Sequence, residues 1–104
     1  MATDKEIKLV AQLLDKTKKG NITWEPTAKD DEFVSTLNGN VSFTVGSWRE
    51  TDLLAMRDEL GRLLVTIDSD STIQVSELYA EARRLALKVD ESLDSVLDQL
   101  GRMG

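Results

Sequence analysis

Carboxylates are the groups in this sequence best placed to do chemistry. They cluster as Asp30-Asp31-Glu32, Asp58-Glu59, Asp68 with Asp70, and the series Asp90, Glu91, Asp94, Asp98. Paired carboxylates perform general acid–base work when their surroundings push their pKa values apart. These clusters fall in polar turns or along one helix flank, where water keeps them alike, so solvated surface is the expected role. Arg83-Arg84 offers two guanidinium groups for an anion. Successive helical residues point about 100° apart, so the two do not close on one ligand, and pairing with Glu77, Glu81 or Glu91 is expected instead. The chain has no histidine and no cysteine. That removes the side chain titrating nearest neutral pH, the thiolate nucleophile, the commonest soft metal ligands and every disulfide. No catalytic residue, metal ligand or cofactor site is expected, and the chain reads as a non-enzyme.

One motif argues otherwise. Asp68-Ser69-Asp70-Ser71-Thr72 directly follows the apolar run Leu63-Leu64-Val65-Thr66-Ile67. These residues resemble the strand-end D-x-D-x-T signature of the haloacid-dehalogenase-type phosphatases, which implies Asp68 as nucleophile with Mg²⁺ beside it. The same family needs a parallel α/β sheet and further Ser/Thr, Lys and Asp motifs downstream. Here the only basic residues left downstream are Arg83, Arg84, Lys88 and Arg102, and the preceding run patterns as half of a hairpin. The expected role is a polar loop in which Ser71 or Thr72 caps the next helix, with Gln74 completing S-x-x-Q. A calcium loop fits no better, because its glycine position falls on Ile73 and its closing glutamate on Tyr79.

Size and charge narrow the remaining functions. At 104 residues, 40% hydrophobic and 31% charged, the chain suits a single globular domain over residues 1–104. No apolar run reaches the roughly 20 residues that span a bilayer, and Met1-Ala2-Thr3-Asp4-Lys5-Glu6 is too polar for a signal peptide. A cytoplasmic location and no membrane contact are therefore expected. Net charge is −6. Residues 1–20 carry five lysines against Asp4, Glu6 and Asp15, a balance of +2, which leaves −8 for the rest. Phosphate backbones select basic surfaces, so no nucleic-acid partner is expected.

The elements follow from periodicity. Thr3 and Glu6 form a T-x-x-E capping box. Ile7, Val10, Ala11, Leu13 and Leu14 then give a helical stripe ending at Gly20, which predicts a helix over 4–19. Beyond Gly20 the period falls to two. Ile22 and Trp24 predict a short edge strand stopped by Pro26. Phe33-Ser35-Leu37 and Val41-Phe43-Val45 predict a hairpin around Asn38-Gly39, closed either by a two-residue turn or by a longer loop that sets Leu37 near Val41. After a loop around Gly46–Asp52, Leu54 and Met56 face Leu63, Val65 and Ile67 across a turn at Asp58-Glu59-Leu60-Gly61. The last third is helical, with Val75, Leu78, Tyr79, Ala82, Leu85, Ala86 and Val89 in register, continued by Leu93, Val96, Leu97 and Leu100. One rod from 73 to 100 would reach roughly 40 Å, overhanging the domain, so a break at Lys88-Val89-Asp90 with Asp90 as cap is expected. The fold class is α+β: an antiparallel meander of four to five strands against an N-terminal helix and one or two C-terminal helices.

Two passages, Lys19 to Trp24 and Leu78 to Leu93, resemble short bacterial proteins of unknown function that share this helix, meander and helix layout. The resemblance implies the same fold order and a bacterial source, and it transfers no active residues. What remains to do work is surface. Trp48 beside Arg49 has the composition of an interface hot spot, and Leu93, Val96, Leu97 and Leu100 form a helical apolar stripe. The expected function is a small acidic protein-interaction module binding another protein or itself, with a homodimer through the C-terminal helices as its simplest form. A small-ligand pocket between sheet and helices is the alternative.

Overall fold

The computed structural model describes residues 2–37 and 39–103. Its order is α1 (Asp4–Lys18), β1 (Glu25–Pro26), β2 (Glu32–Leu37), β3 (Val41–Trp48), β4 (Thr51–Arg57), β5 (Leu63–Asp68), α2 (Gln74–Ala86) and α3 (Val89–Arg102). The class is α+β, and the five strands form one antiparallel sheet in sequence order.

The start and stop of α1 are set by local chemistry. Thr3 Oγ1 accepts the Glu6 N–H at 3.2 Å. At the other end Gly20, at φ +78°, lets the Asn21 N–H reach the Lys16 carbonyl and its own N–H reach Thr17, the paired bonds of a Schellman stop. Ile22 and Trp24 turn inward as expected, but they precede the ladder. β1 is only Glu25–Pro26, with Pro26 inside it opposite Phe33.

Register decides the hairpins. Leu37 pairs with Val41, so the longer of the two expected loops closes β2 to β3; Asn38 itself lies outside the described residues. The expected loop over Gly46–Asp52 is instead strand almost throughout. β3 continues to Trp48 and β4 begins at Thr51, leaving Arg49 and Glu50 as a two-residue turn with φ of +48° and +67°. Neither residue favours that region, which is why the sequence carries no hairpin signal there. Leu54 faces Ile67 and Met56 faces Val65 as the alternation requires. Leu63 does not join them, because a bulge sets it opposite Arg57.

One face of the sheet is covered. Phe33, Phe43, Val45, Leu54 and Ile67 point to that side and are buried. Against them α2 lays Val75, Leu78 and Ala82, all fully buried. α1 packs principally on α2, so it forms an outer layer over α2. Trp24 seals this layer. Its Nε1–H donates to Thr17 Oγ1 at 3.1 Å in a buried bond, and among the described residues no buried side-chain polar atom lacks a partner.

The helix break occurs where expected, with a different device. Lys88 takes φ +53° and occupies the N-cap position of α3 without a side-chain cap bond. Asp90 sits inside the first turn and pairs with Arg84. That contact corrects the expected partners of the Arg83-Arg84 pair.

Two outcomes follow. In urea denaturation Leu78→Ala should cost about 2–5 kcal/mol, and Thr17→Val about 1–3 kcal/mol by leaving the Trp24 N–H unpaired. Tyr79, the chain's single tyrosine, packs on Phe33 with ring centroids 5.9 Å apart. Burial and then the nearby Asp31 carboxylate push its phenol above the ordinary value of 10.0. A folded pKa above the unfolded one means that the Tyr79 contribution is intact below about pH 10 and is lost as pH rises through the folded value. Phenolate absorbance should therefore titrate at higher pH in the native protein than in urea, and Tyr79→Phe should lessen the alkaline loss of stability.

Candidate interaction surfaces

The α3 stripe is assembled by spacing alone. Val89, Leu93, Val96, Leu100 and Met103 recur at alternating steps of four and three, the seam spacing of a helix that packs on another helix. Leu97 lies alongside. α3 has no buried residue, and Leu97 is 66% exposed. The left-handed Lys88 directs the helix away from the core, and a 14-residue helix adds about 21 Å of length. The molecule measures 55 × 28 × 26 Å. Of the charges on α3, Asp90, Glu91, Asp94 and Asp98 oppose Arg102 alone, and Arg102 is held by Asp98 at 2.8 Å.

Trp48 and Arg49 lie at the end of β3. Trp48 is 70% exposed, and the Arg49 guanidinium sits 4.7 Å from its ring centroid, within cation–π range. The neighbouring uncovered sheet face holds a depression of about 300 Å³ whose lining includes Lys29, Asp31, Thr44, Leu53 and Arg57. Arg57 donates to Thr44 Oγ1 at 3.2 Å. This hollow lies on the side away from the helices; a second, of about 400 Å³, opens between α1 and the sheet edge, lined by Leu9, Leu13, Ile22 and Leu37 among others.

The aspartate loop is held by its own hydrogen bonds. Asp68 Oδ1 accepts the Ser71 N–H at 2.9 Å, Ser69 Oγ accepts the Asp52 N–H at 3.1 Å, and Thr72 Oγ1 accepts the Gln74 N–H at 3.3 Å. The N-cap of α2 is Ile73, without a side-chain cap bond, so neither Ser71 nor Thr72 takes the expected cap position, although Thr72 bonds the first residue of the helix. The strand leading into this loop belongs to an antiparallel sheet, unlike the parallel sheet that the phosphatase signature accompanies. Among the described residues, no group of three or more acidic, histidine or cysteine side chains is arranged to hold a metal ion. None of the described helices is long and apolar enough to cross a membrane.

Neither a protein-family model, nor a curated protein, nor a solved structure matches this chain. The layout of helix, meander and two helices stands on the structure itself.

Of the six interface residues singled out from sequence, Trp48 and Arg49 are together at one hairpin tip, and Leu93, Val96, Leu97 and Leu100 share the α3 stripe. Because that stripe touches so little of its own chain, Leu93→Ala and Leu97→Ala should each change unfolding stability by no more than about 0.5 kcal/mol, in contrast to Leu78→Ala. Denaturation of the purified variants gives the comparison directly.

Proposed function

We propose that this chain is a non-enzymatic interaction module that docks a helix of another protein along α3. The observation that carries the reading is an amphipathic helix with seam spacing and no side chain buried in its own fold. In water an isolated helix of this length is marginal, so a partner that covers the stripe also stabilises the helix. The flanking charge selects that partner. Four carboxylates against one arginine favour a helix whose flanks are basic, and they set like charge against like when two α3 helices meet. Trp48 with Arg49 supplies a second contact point. The bacterial source implied by resemblance and a cytoplasmic setting belong to the same proposal.

Two synthetic helices test this reading. Both carry leucine at the α3 spacing, one flanked by lysine and the other by glutamate. Fluorescence anisotropy should show the lysine peptide binding at least about tenfold more tightly at low salt, with the gap narrowing as salt screens the charges. Leu93→Asp with Leu97→Asp should abolish binding. Equal affinity for both peptides, or binding that survives the double substitution, overturns the proposal.

A further inference from the structure

A surface matching the flanks of α3 lies on the same chain. The apolar stripe of α3 is bordered differently on its two sides. At about 100° per residue, Asp90, Asp94 and Asp98 follow one another along the side that adjoins Leu97. Ser92, Ser95 and Gln99 run along the opposite side. One flank is acidic and the other is uncharged.

The groove between α1 and the sheet edge is asymmetric in the same way. Leu13 and Ile22 are its buried part, while Leu9 is half-buried and Leu37 is exposed. On the α1 side, Lys5, Leu9, Gln12 and Lys16 recur at steps of four, three and four. They share one helix face, with a lysine at each end of the row. On the sheet side the groove is bordered by Asn21, Ile22 and Leu37, and Lys16 is the one charged residue among the described residues that line it. Lys5 and Lys16 are exposed, and among the described residues no salt bridge uses either. One rim is basic and the other is uncharged. α1 and α3 are also matched in length, at 15 and 14 residues. α3 meets its own chain mainly at α2, which leaves the groove open to a second molecule.

We propose that this groove receives α3 of a second copy of the chain, and that two copies exchange their α3 helices to form a closed dimer. The inference rests on the helix-docking reading of α3 and names its partner, because the basic helix is then α1 of the other copy. Leu93, Val96 and Leu100 enter the groove against Leu9, Leu13, Ile22 and Leu37, taking apolar surface of both molecules out of water. Only one of the two directions along the groove sets the acidic flank of α3 beside Lys5 and Lys16. Charge therefore orients the helix as well as attracting it. Pairing two α3 helices with each other would instead bring carboxylates together. Each copy offers one helix and one groove, so a two-fold pair satisfies both and leaves neither open.

Sedimentation across a concentration series tests it, with circular dichroism as the check on folding. The unaltered chain should form a dimer. Lys5→Glu with Lys16→Glu reverses the basic rim, and Leu93→Asp spoils the stripe; each variant should raise the dimer Kd at least about tenfold. All three positions are exposed, so both variants should keep the native spectrum. Stability comparisons of α3 variants made below the dimer Kd report the monomer alone. Mixing decides the matter, because the rim variant keeps its stripe and the stripe variant keeps its groove. The mixture should form a one-to-one complex that neither variant forms alone. No complex in the mixture overturns the proposal. So does a rim variant that dimerises as the unaltered chain does, by assigning association to pairing between α3 helices. A chain that stays monomeric at every concentration yet binds the lysine-flanked peptide overturns this inference and leaves helix docking standing, whereas a monomeric chain that binds neither peptide overturns both.

Discussion

Burial of α2 between the sheet and α1 is the contact from which the rest of the molecule takes its shape. Val75, Leu78 and Ala82 have no exposed surface, and they meet Phe33, Phe43, Val45, Leu54 and Ile67 on one side and α1 on the other. A meander alone has one apolar face open to water and cannot stand without a cover. α2 supplies that cover, and its own outer side is then closed by Val10, Leu13 and Leu14 of α1. The small Ala82 allows close approach at the centre. The Thr17–Trp24 bond satisfies the indole N–H that burial of so large a side chain would otherwise strand. Since each layer depends on the one beneath, loss of packing at Leu78 is felt by both the sheet and α1.

The same arrangement explains why α3 is left out. With the inner sheet face filled by α2 and α1 laid over α2, the buried core is assembled without α3, which has no buried residue. Lys88 at φ +53° ends α2 and redirects the chain, at a strain cost of order 1–2 kcal/mol for a residue other than glycine. A continuous helix would avoid that cost. The strain is therefore consistent with selection for where α3 points, and strained positions cluster where function constrains geometry. Arg49 and Glu50 repeat the pattern at the β3–β4 turn, where asparagine and glycine would relieve strain but would lose the Arg49 stack on Trp48.

Much of this fold could be read from residue spacing, and the failures have physical causes. The α1 boundaries were legible because Thr3, Glu6 and Gly20 are each chemically committed to one end of a helix. The strand faces were legible because Phe43, Val45, Leu54 and Ile67 alternate strictly. The β3–β4 turn was hidden, since Arg49 and Glu50 adopt backbone angles that their side chains do not favour, held by the pairing on either side. Leu63 was misplaced because a bulge shifts the face of a strand without leaving any trace in the alternation. Asp90 was read as a cap because aspartate suits that position, yet Arg84 competes for the same carboxylate. For the candidate surface, the stripe Leu93, Val96, Leu97, Leu100 was visible as amphipathic spacing. Its exposure was not, since spacing shows which residues share a face and says nothing of what lies opposite.

Exposure of the α3 stripe has a consequence for the helix itself. A helix of 14 residues is marginal in water on its own, and the main contacts of α3 with its own chain are to α2. A partner covering Leu93, Val96, Leu97 and Leu100 would therefore order the helix as it docks, and that ordering would offset part of the affinity the apolar contact supplies. Four carboxylates against one arginine on α3 would favour a helix with basic flanks and set like charge against like between two copies of this one.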